Sequence, residues 1–311
     1  MASPLILSLR KQKSCCGSKI RILSPAKINL YLNIKDKYSN GFHRIESIVE
    51  RISLADQISI RILPDPTIKI SSNNKSLETS GNLVFKAAQL LQKKFKIPFG
   101  FDIFLKKNIP IGAGLGGGSS NAASVLLGIN ELLKLGLKPD QLYRLGPKLG
   151  SDVNFFLSES QFAFLEGRGQ RVTPFKVKPK FRYLIIWPGI SLSTKRVYER
   201  LESNLPCPVY HKTGGRQELT KFFNNAKILR YALKKGDIHL IKANIFNALE
   251  PSALAVCKEL RSAKALLAGE GIFTKVTGSG SALYTIFDNF SLSKIKNLAK
   301  DNWLMFTAKT F

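Results

Sequence analysis

Two periods of hydrophobic and polar residues alternate along the chain. Residues 58–62 and 68–70 alternate apolar with polar, as half-buried strands do, and 101–106 reads as a further strand. Residues 20–35 are apolar enough for a pair of strands or one long bent strand, and 162–165 and 182–187 are short apolar strands. The helical period takes over elsewhere. Asn82 opens a helix that runs toward Phe95, and Ala122, Ala123, Leu126, Leu127, Ile129 and Leu133 form one face of a helix that starts at Ser119. A second helix follows over 139–149. Beyond Thr194 the pattern is again helical, broken by a Pro- and Gly-containing loop over 206–215, and the end reads as strand (274–276), turn, strand (283–287), helix, strand. Tyr38-Ser39-Asn40-Gly41 has the chemistry of a tight turn. Hairpins mixed with helices predict an α+β fold.

Composition narrows the class. A chain of 311 residues with 44% hydrophobic residues buries a full core, and two domains are the natural expectation. No apolar run approaches the roughly 18 residues of a membrane helix, so no membrane partner is expected. Residues 1–19 carry Arg, Lys and Ser but no acid, and Leu5-Ile6-Leu7 precedes Arg10-Lys11, the reverse of a signal peptide's order. They are read as a disordered extension. Cys15, Cys16, Cys207 and Cys257 form no C-x-x-C pair, and the three histidines form no H-E-x-x-H, which suits reduced thiols in a cytoplasmic protein.

The formal charge of +27 favours anionic partners: nucleic acid, or a nucleotide together with a diphosphate substrate. Basic runs such as Lys93-Lys94 and Lys106-Lys107 are short, and no aromatic-interleaved basic stripe is present. Lysines scattered over solvated faces come first, and nucleic acid ranks well behind.

The most informative stretch is Pro110-Ile111-Gly112-Ala113-Gly114-Leu115-Gly116-Gly117-Gly118-Ser119-Ser120, with five glycines between a strand and a helix. Such a loop brings backbone N–H groups to an anion at a helix N-terminus. Gly112-x-Gly114-x-x-Gly117 matches the dinucleotide fingerprint, but the next acid is Glu131, still within the helical pattern. No lysine lies between Pro110 and Ser120, which excludes a Walker A loop. What remains is a glycine loop over 110–120 ending in two hydroxyls, read as a phosphate cradle ahead of a plain turn with a serine cap. Ser119 and Ser120 can bond phosphate oxygens or a magnesium-bound water.

This loop resembles the second motif of the GHMP kinases, the superfamily of galactokinase, homoserine kinase and mevalonate kinase. Ser24-Pro25-Ala26-Lys27-Ile28-Asn29-Leu30-Tyr31-Leu32 resembles the first motif and Val276-Thr277-Gly278-Ser279-Gly280-Ser281-Ala282-Leu283-Tyr284 the third. Gly41-Phe42-His43, Gly150-Ser151-Asp152-Val153 and Pro188-Gly189-Ile190-Ser191 with Thr194 are similar to the branch that phosphorylates the 2-hydroxyl of 4-diphosphocytidyl-2-C-methyl-D-erythritol, in the non-mevalonate isoprenoid pathway.

The resemblance implies an ATP- and Mg2+-dependent kinase, monomeric or homodimeric. It implies an N-terminal ATP-binding domain over 20–180, a C-terminal domain over 181–311, and an active site in the cleft between them. Lys27 and Asp152 match its catalytic pair. Pro110, Gly112, Gly114, Leu115, Gly116, Gly117, Gly118, Ser119 and Ser120 match its ATP loop, and Lys107 a lysine near the nucleotide. Asn29, Thr194, Gly278, Ser279 and Gly280 fall at substrate-contacting positions. His43 matches the reader of the cytosine edge, and Phe42 and Tyr198 the aromatics that sandwich the base. On spacing alone, Asp152 reads as a helix cap and Lys27 as an exposed strand lysine. Phe42 stands where the family has tyrosine, and Asn154 where it has proline, a change expected to loosen the segment that holds Asp152. The alternatives are another GHMP kinase, of homoserine or mevalonate type, and a basic nucleic-acid-binding protein.

Overall fold

The computed structural model describes residues 5–10, 17–39, 41–204, 215–286 and 302–311. The strands are β1 (Ile6–Arg10), β2 (Lys19–Lys37), β3 (His43–Leu63), β4 (Ile68–Ser72), β5 (Gly100–Lys106), β6 (Phe162–Gly167), β7 (Arg171–Phe175), β8 (Arg182–Trp187), β9 (Phe246–Asn247), β10 (Lys275–Val276), β11 (Leu283–Ile286) and β12 (Leu304–Lys309). The helices are α1 (Leu83–Lys94), α2 (Gly117–Leu132), α3 (Pro139–Tyr143), α4 (Val153–Leu157), α5 (Thr194–Asn204), α6 (Gly215–Lys235), α7 (Ile238–Asn244), α8 (Glu250–Val256) and α9 (Lys258–Gly269).

Two sheets carry the fold. The larger runs β1-β2-β3-β5-β4, with β6 on the far half of β3, β7 beyond β6, and β9 on β2. The smaller is antiparallel, in the order β10-β11-β8-β12. The fold is α+β.

The two long central strands explain the packing. β2 alternates at its start, then is buried on both faces from Ser24 to Asn33. Ile20 and Ile22 pack with α1 and α2, Ile28, Leu30 and Tyr31 pack with residues of the smaller sheet and α6, and Leu32 packs with residues of α8 and α9. Lys27 and Asn29 lie in the doubly covered stretch, which is why both are buried.

Helix α1 forms where local rules agree. Asn82 accepts a bond from Val84 N at 2.9 Å, and Val84, Ala87, Ala88 and Leu91 form the buried stripe at i, i+3, i+4 and i+7.

Several expectations change. Ile6–Arg10, expected within a disordered extension, is a strand paired antiparallel with β2, with Leu5 buried in the core. Its apolar residues find an open strand edge to cover. Of the two readings of residues 20–35, the single bent strand is the one found, with register shifts at Pro25/Ala26 and Asn29/Tyr31. The strand expected over 58–62 is the end of β3, 21 residues long. The helix expected over 139–149 stops at Tyr143 and resumes as a short 3-10 turn over Gly146–Lys148, because Pro147 offers no N–H. Asn40, most of the loop expected over 206–215, Phe287, the final expected helix, Cys15, Cys16 and Cys207 lie outside the described residues.

Candidate active site

The glycine loop leaves β5 and enters α2 at the edge of a cleft of about 810 Å3. Gly116 is the N-cap in left-handed conformation (φ +71°), and no side chain caps the helix. The helix begins at Gly117, so the first turn carries Gly117, Gly118 and Ser119, all lining the cleft. Three backbone bonds fasten the loop: Lys27 N to Leu115 O (3.0 Å), Ala282 N to Ala113 O (3.0 Å) and Leu192 N to Gly112 O (3.0 Å). The closest approach is at Gly114 (φ +76°), where a Cβ would lie 2.1 Å from Thr277 O. The second and third glycine-rich segments are therefore packed backbone to backbone.

Lys27 reaches this junction from β2. Its ammonium donates to Asn29 Oδ1 at 2.5 Å and to Gly114 O at 2.7 Å, and lies 4.0 Å from Asp152 Oδ2. Burial holds the lysine below its ordinary pKa, and the Asp152 charge opposes that shift. Two of three ammonium protons are taken, leaving one for an incoming oxygen.

Asp152 sits at the N-cap position of α4, but its side chain caps nothing and is one-third exposed. Arg51 supports α4 from beneath: its buried guanidinium donates to Phe155 O and Phe156 O at the C-terminal end and lies against both rings. Asn154, expected to loosen this segment, is bonded through its amide nitrogen, while its Oδ1 is buried without a partner. Its Nδ2 donates to Tyr143 O (3.2 Å) and Gln170 O (3.0 Å), tying α4 to α3 and to the start of β7.

At the other end, His43 at the start of β3 meets α5. Its ring lies 4.9 Å from Tyr198, centroid to centroid, and its Nε2 is 3.3 Å from Glu202 Oε1. Phe42 is exposed, with the Arg168 guanidinium 3.3 Å over its ring. Thr194 and Ser279 share a hydroxyl hydrogen bond of 2.9 Å.

Lys27, Asn29, Phe42, His43, Lys107, Pro110, Gly112, Gly114, Leu115, Gly116, Gly117, Gly118, Ser119, Asp152, Thr194, Tyr198, Gly278 and Ser279 all line the one cleft. Two expected residues do not. Ser120 is fully buried and accepts from Ser24 Oγ at 2.9 Å, because it lies on the inner face of α2 with Ala123 and Ser124. Gly280 packs behind the loop, where a Cβ would meet Leu192 and Val276.

Asp56, which the sequence reading did not single out, organises the back of the loop. It is fully buried and accepts from Lys107 Nζ (2.5 Å), Asn108 N (2.7 Å), Ile109 N (2.8 Å) and Asn121 Nδ2 (2.8 Å). Lys107 is thus held against the first turn of α2, where a Cβ on Gly117 would lie 2.8 Å from its Nζ. Arg168 and Glu202 were missed as well. An acid inside a strand was the one signal for Asp56, and none marked the other two.

Comparison with known proteins agrees with this architecture. Residues 82–160 match the GHMP kinases N terminal domain and residues 229–302 the GHMP kinases C terminal. With the kinase relatives of the chain, that match makes it an ATP-using small-molecule kinase. The 4-diphosphocytidyl-2-C-methyl-D-erythritol kinase of Clostridioides difficile (strain 630) is 36% identical over 273 residues, 87% of each chain. A crystal structure of a 4-(cytidine 5'-diphospho)-2C-methyl-D-erythritol kinase superposes with a TM-score of 0.70 at 27% identity, covering 93% of this chain and 98% of that one. The homoserine kinase of Cytophaga hutchinsonii shares the fold, with a TM-score of 0.68 at 16% identity over 97% of this chain and 96% of that one. The chain belongs to the 4-diphosphocytidyl-2-C-methyl-D-erythritol kinases. Among the described residues, no helix is long and apolar enough to cross a membrane.

Proposed function

We propose that this protein transfers the γ-phosphoryl group of ATP to the 2-hydroxyl of 4-diphosphocytidyl-2-C-methyl-D-erythritol, giving the 2-phosphate and ADP in the non-mevalonate route to isoprenoid precursors. The observation that carries the reading is the cleft itself. A glycine loop at an uncapped helix N-terminus, a buried lysine 4.0 Å from a carboxylate, and a histidine packed on a tyrosine all line it. We place the division into two units near residue 180, between β7 of the larger sheet and β8 of the smaller, with β9 returning to pair with β2.

Phosphoryl transfer asks for position and charge more than for covalent chemistry. Asp152 aligns the substrate hydroxyl and takes its proton as the oxygen–phosphorus bond forms and the bond to the leaving ADP oxygen breaks. Lys27, held by Asn29 and Gly114, faces the negative charge that develops between them. The first turn of α2 and Ser119 receive the triphosphate, and Lys107, just after β5, flanks it. Thr194 and Ser279 bound the methylerythritol end, and His43, Phe42 and Tyr198 the base.

A magnesium ion fits this donor set. No cluster of three or more His, Cys, Asp or Glu side chains is present among the described residues, and magnesium on a nucleotide is held mainly by phosphates and water. Ser119 lines the cleft beside the loop and is the residue that would contact its water shell, which Ser120 does not reach. The ion would neutralise phosphate charge. The test is ATP consumption in a coupled assay with the diphosphocytidyl substrate, mevalonate and homoserine offered separately. Turnover with the first alone is expected, and turnover with either of the others instead would overturn the assignment.

A further inference from the structure

Helix α5 turns two residues toward the hairpin of β2 and β3, Tyr198 and, four positions on, Glu202. Tyr198 covers the His43 ring, and Glu202 Oε1 approaches His43 Nε2 at 3.3 Å. The same carboxylate oxygen accepts from Lys37 Nζ at 2.7 Å, and Lys37 is the cross-strand partner of His43. The His43 side chain is only 9% exposed, and His43, Tyr198 and Glu202 all line the cleft.

We propose that Glu202 makes the base pocket select cytosine over uracil, by keeping the His43 proton on Nε2 and leaving Nδ1 as a hydrogen-bond acceptor. The inference rests on the cytidine reading given above.

A neutral imidazole has one donor nitrogen and one acceptor nitrogen, and the partner of one decides the character of the other. An ionised carboxylate only accepts, so the nitrogen facing it carries the proton. Two observations keep the pair in these states. The Lys37 hydrogen bond holds the Glu202 carboxyl below the usual carboxylate range. Burial holds His43 below the ordinary histidine value and Lys37 adds to this, with Glu202 opposing. Cytosine presents an amine donor where uracil presents a carbonyl acceptor. An Nδ1 lone pair therefore accepts from the first and opposes the second, and a mismatched polar group in a buried site discriminates strongly. Glu202 is thus a positioning residue, acting on the base through His43.

The test compares kcat/KM for the cytidine substrate and its uridine analogue in the wild type, Glu202→Ala and Glu202→Gln. Glu202→Ala should lower the cytidine-to-uridine ratio about tenfold or more. Glu202→Gln should keep most of the ratio, because an amide oxygen in that place still offers Nε2 an acceptor. Nitrogen-15 histidine spectra give a second readout, made tractable by a total of three histidines. His43 should carry its proton on Nε2 in the wild type and lose that preference in Glu202→Ala. An unchanged ratio in Glu202→Ala, or a wild-type His43 protonated on Nδ1, would overturn the inference while wild-type turnover of the cytidine substrate left the parent reading standing. Absence of that turnover would remove both.

Discussion

Glu50 offers the sharpest physical test of the fold. It sits in the middle of β3, fully buried, and its carboxyl receives Thr310 Oγ1 at 2.6 Å and a short bond from the Tyr183 hydroxyl. It thereby joins the larger sheet to β8 of the smaller sheet and to the chain's end. Burial pushes its pKa from 4.5 up to about 8, against the opposing pull of those two hydrogen bonds. Between those pH values the folded protein keeps a proton that the unfolded chain has released, so stability falls as pH rises. The contribution is complete below about pH 4.5 and lost above about pH 8. The slope is about 1.4 kcal/mol per pH unit, with an upper bound of roughly 5 kcal/mol across the window. Glu50→Gln keeps the shape and replaces the protonated oxygen with an amide that does not titrate. Urea unfolding of both proteins at pH 5 to 9 is the assay. The two should be similar near pH 5, and the variant should become progressively more stable toward pH 8. Buried His43 has its pKa displaced downward, so its term runs the opposite way, but it is common to both proteins and cancels in the difference. Parallel pH dependences would refute the assignment of a buried, protonated Glu50.

Asp152→Asn should lower kcat by about 10²–10⁴-fold while leaving ATP binding nearly unchanged, measured by steady-state kinetics beside calorimetry. Full activity in that variant would end its role as proton acceptor. Gly114→Ala places a Cβ 2.1 Å from Thr277 O on a left-handed backbone, and should cost about 2–4 kcal/mol in denaturant unfolding and raise KM for ATP. Asp56→Ala strips the Lys107 ammonium of its partner and leaves the N–H groups of Asn108 and Ile109 without theirs. It should cost about 3–5 kcal/mol, and adding Lys107→Met should restore part of that loss.

What the sequence made legible was local. Helix α1 could be read because its cap, its period and its ends agree within a dozen residues. The glycine loop could be read because left-handed backbone and close packing at Gly114 leave few other residues possible. Even the inward direction of Ser120 was available from the helical period, since it shares a face with Ala123 and Ser124. β7 escaped notice because Pro174 argues against a strand, yet among the described residues β7 pairs with β6 alone, and an edge strand tolerates a missing N–H.

Of β3 only the end, 58–62, was legible; the rest escaped notice for a different reason. Its middle carries Glu50, Arg51 and Asp56, charged residues that break the alternation, yet all are buried. Each is tolerated because the fold supplies partners from far along the chain: Tyr183 and Thr310 for Glu50, the carbonyls of Phe155 and Phe156 for Arg51, Lys107 and Asn121 for Asp56. Arg51 and Asp56 stand behind residues that line the cleft, where a site for phosphoryl transfer needs fixed charges and fixed N–H groups. Arg51 steadies the helix that begins after Asp152, and Asp56 steadies the lysine and the loop that flank the phosphates. The apolar pattern shows where the core lies; the polar residues that aim the chemistry are defined by partners that only the folded chain brings to them.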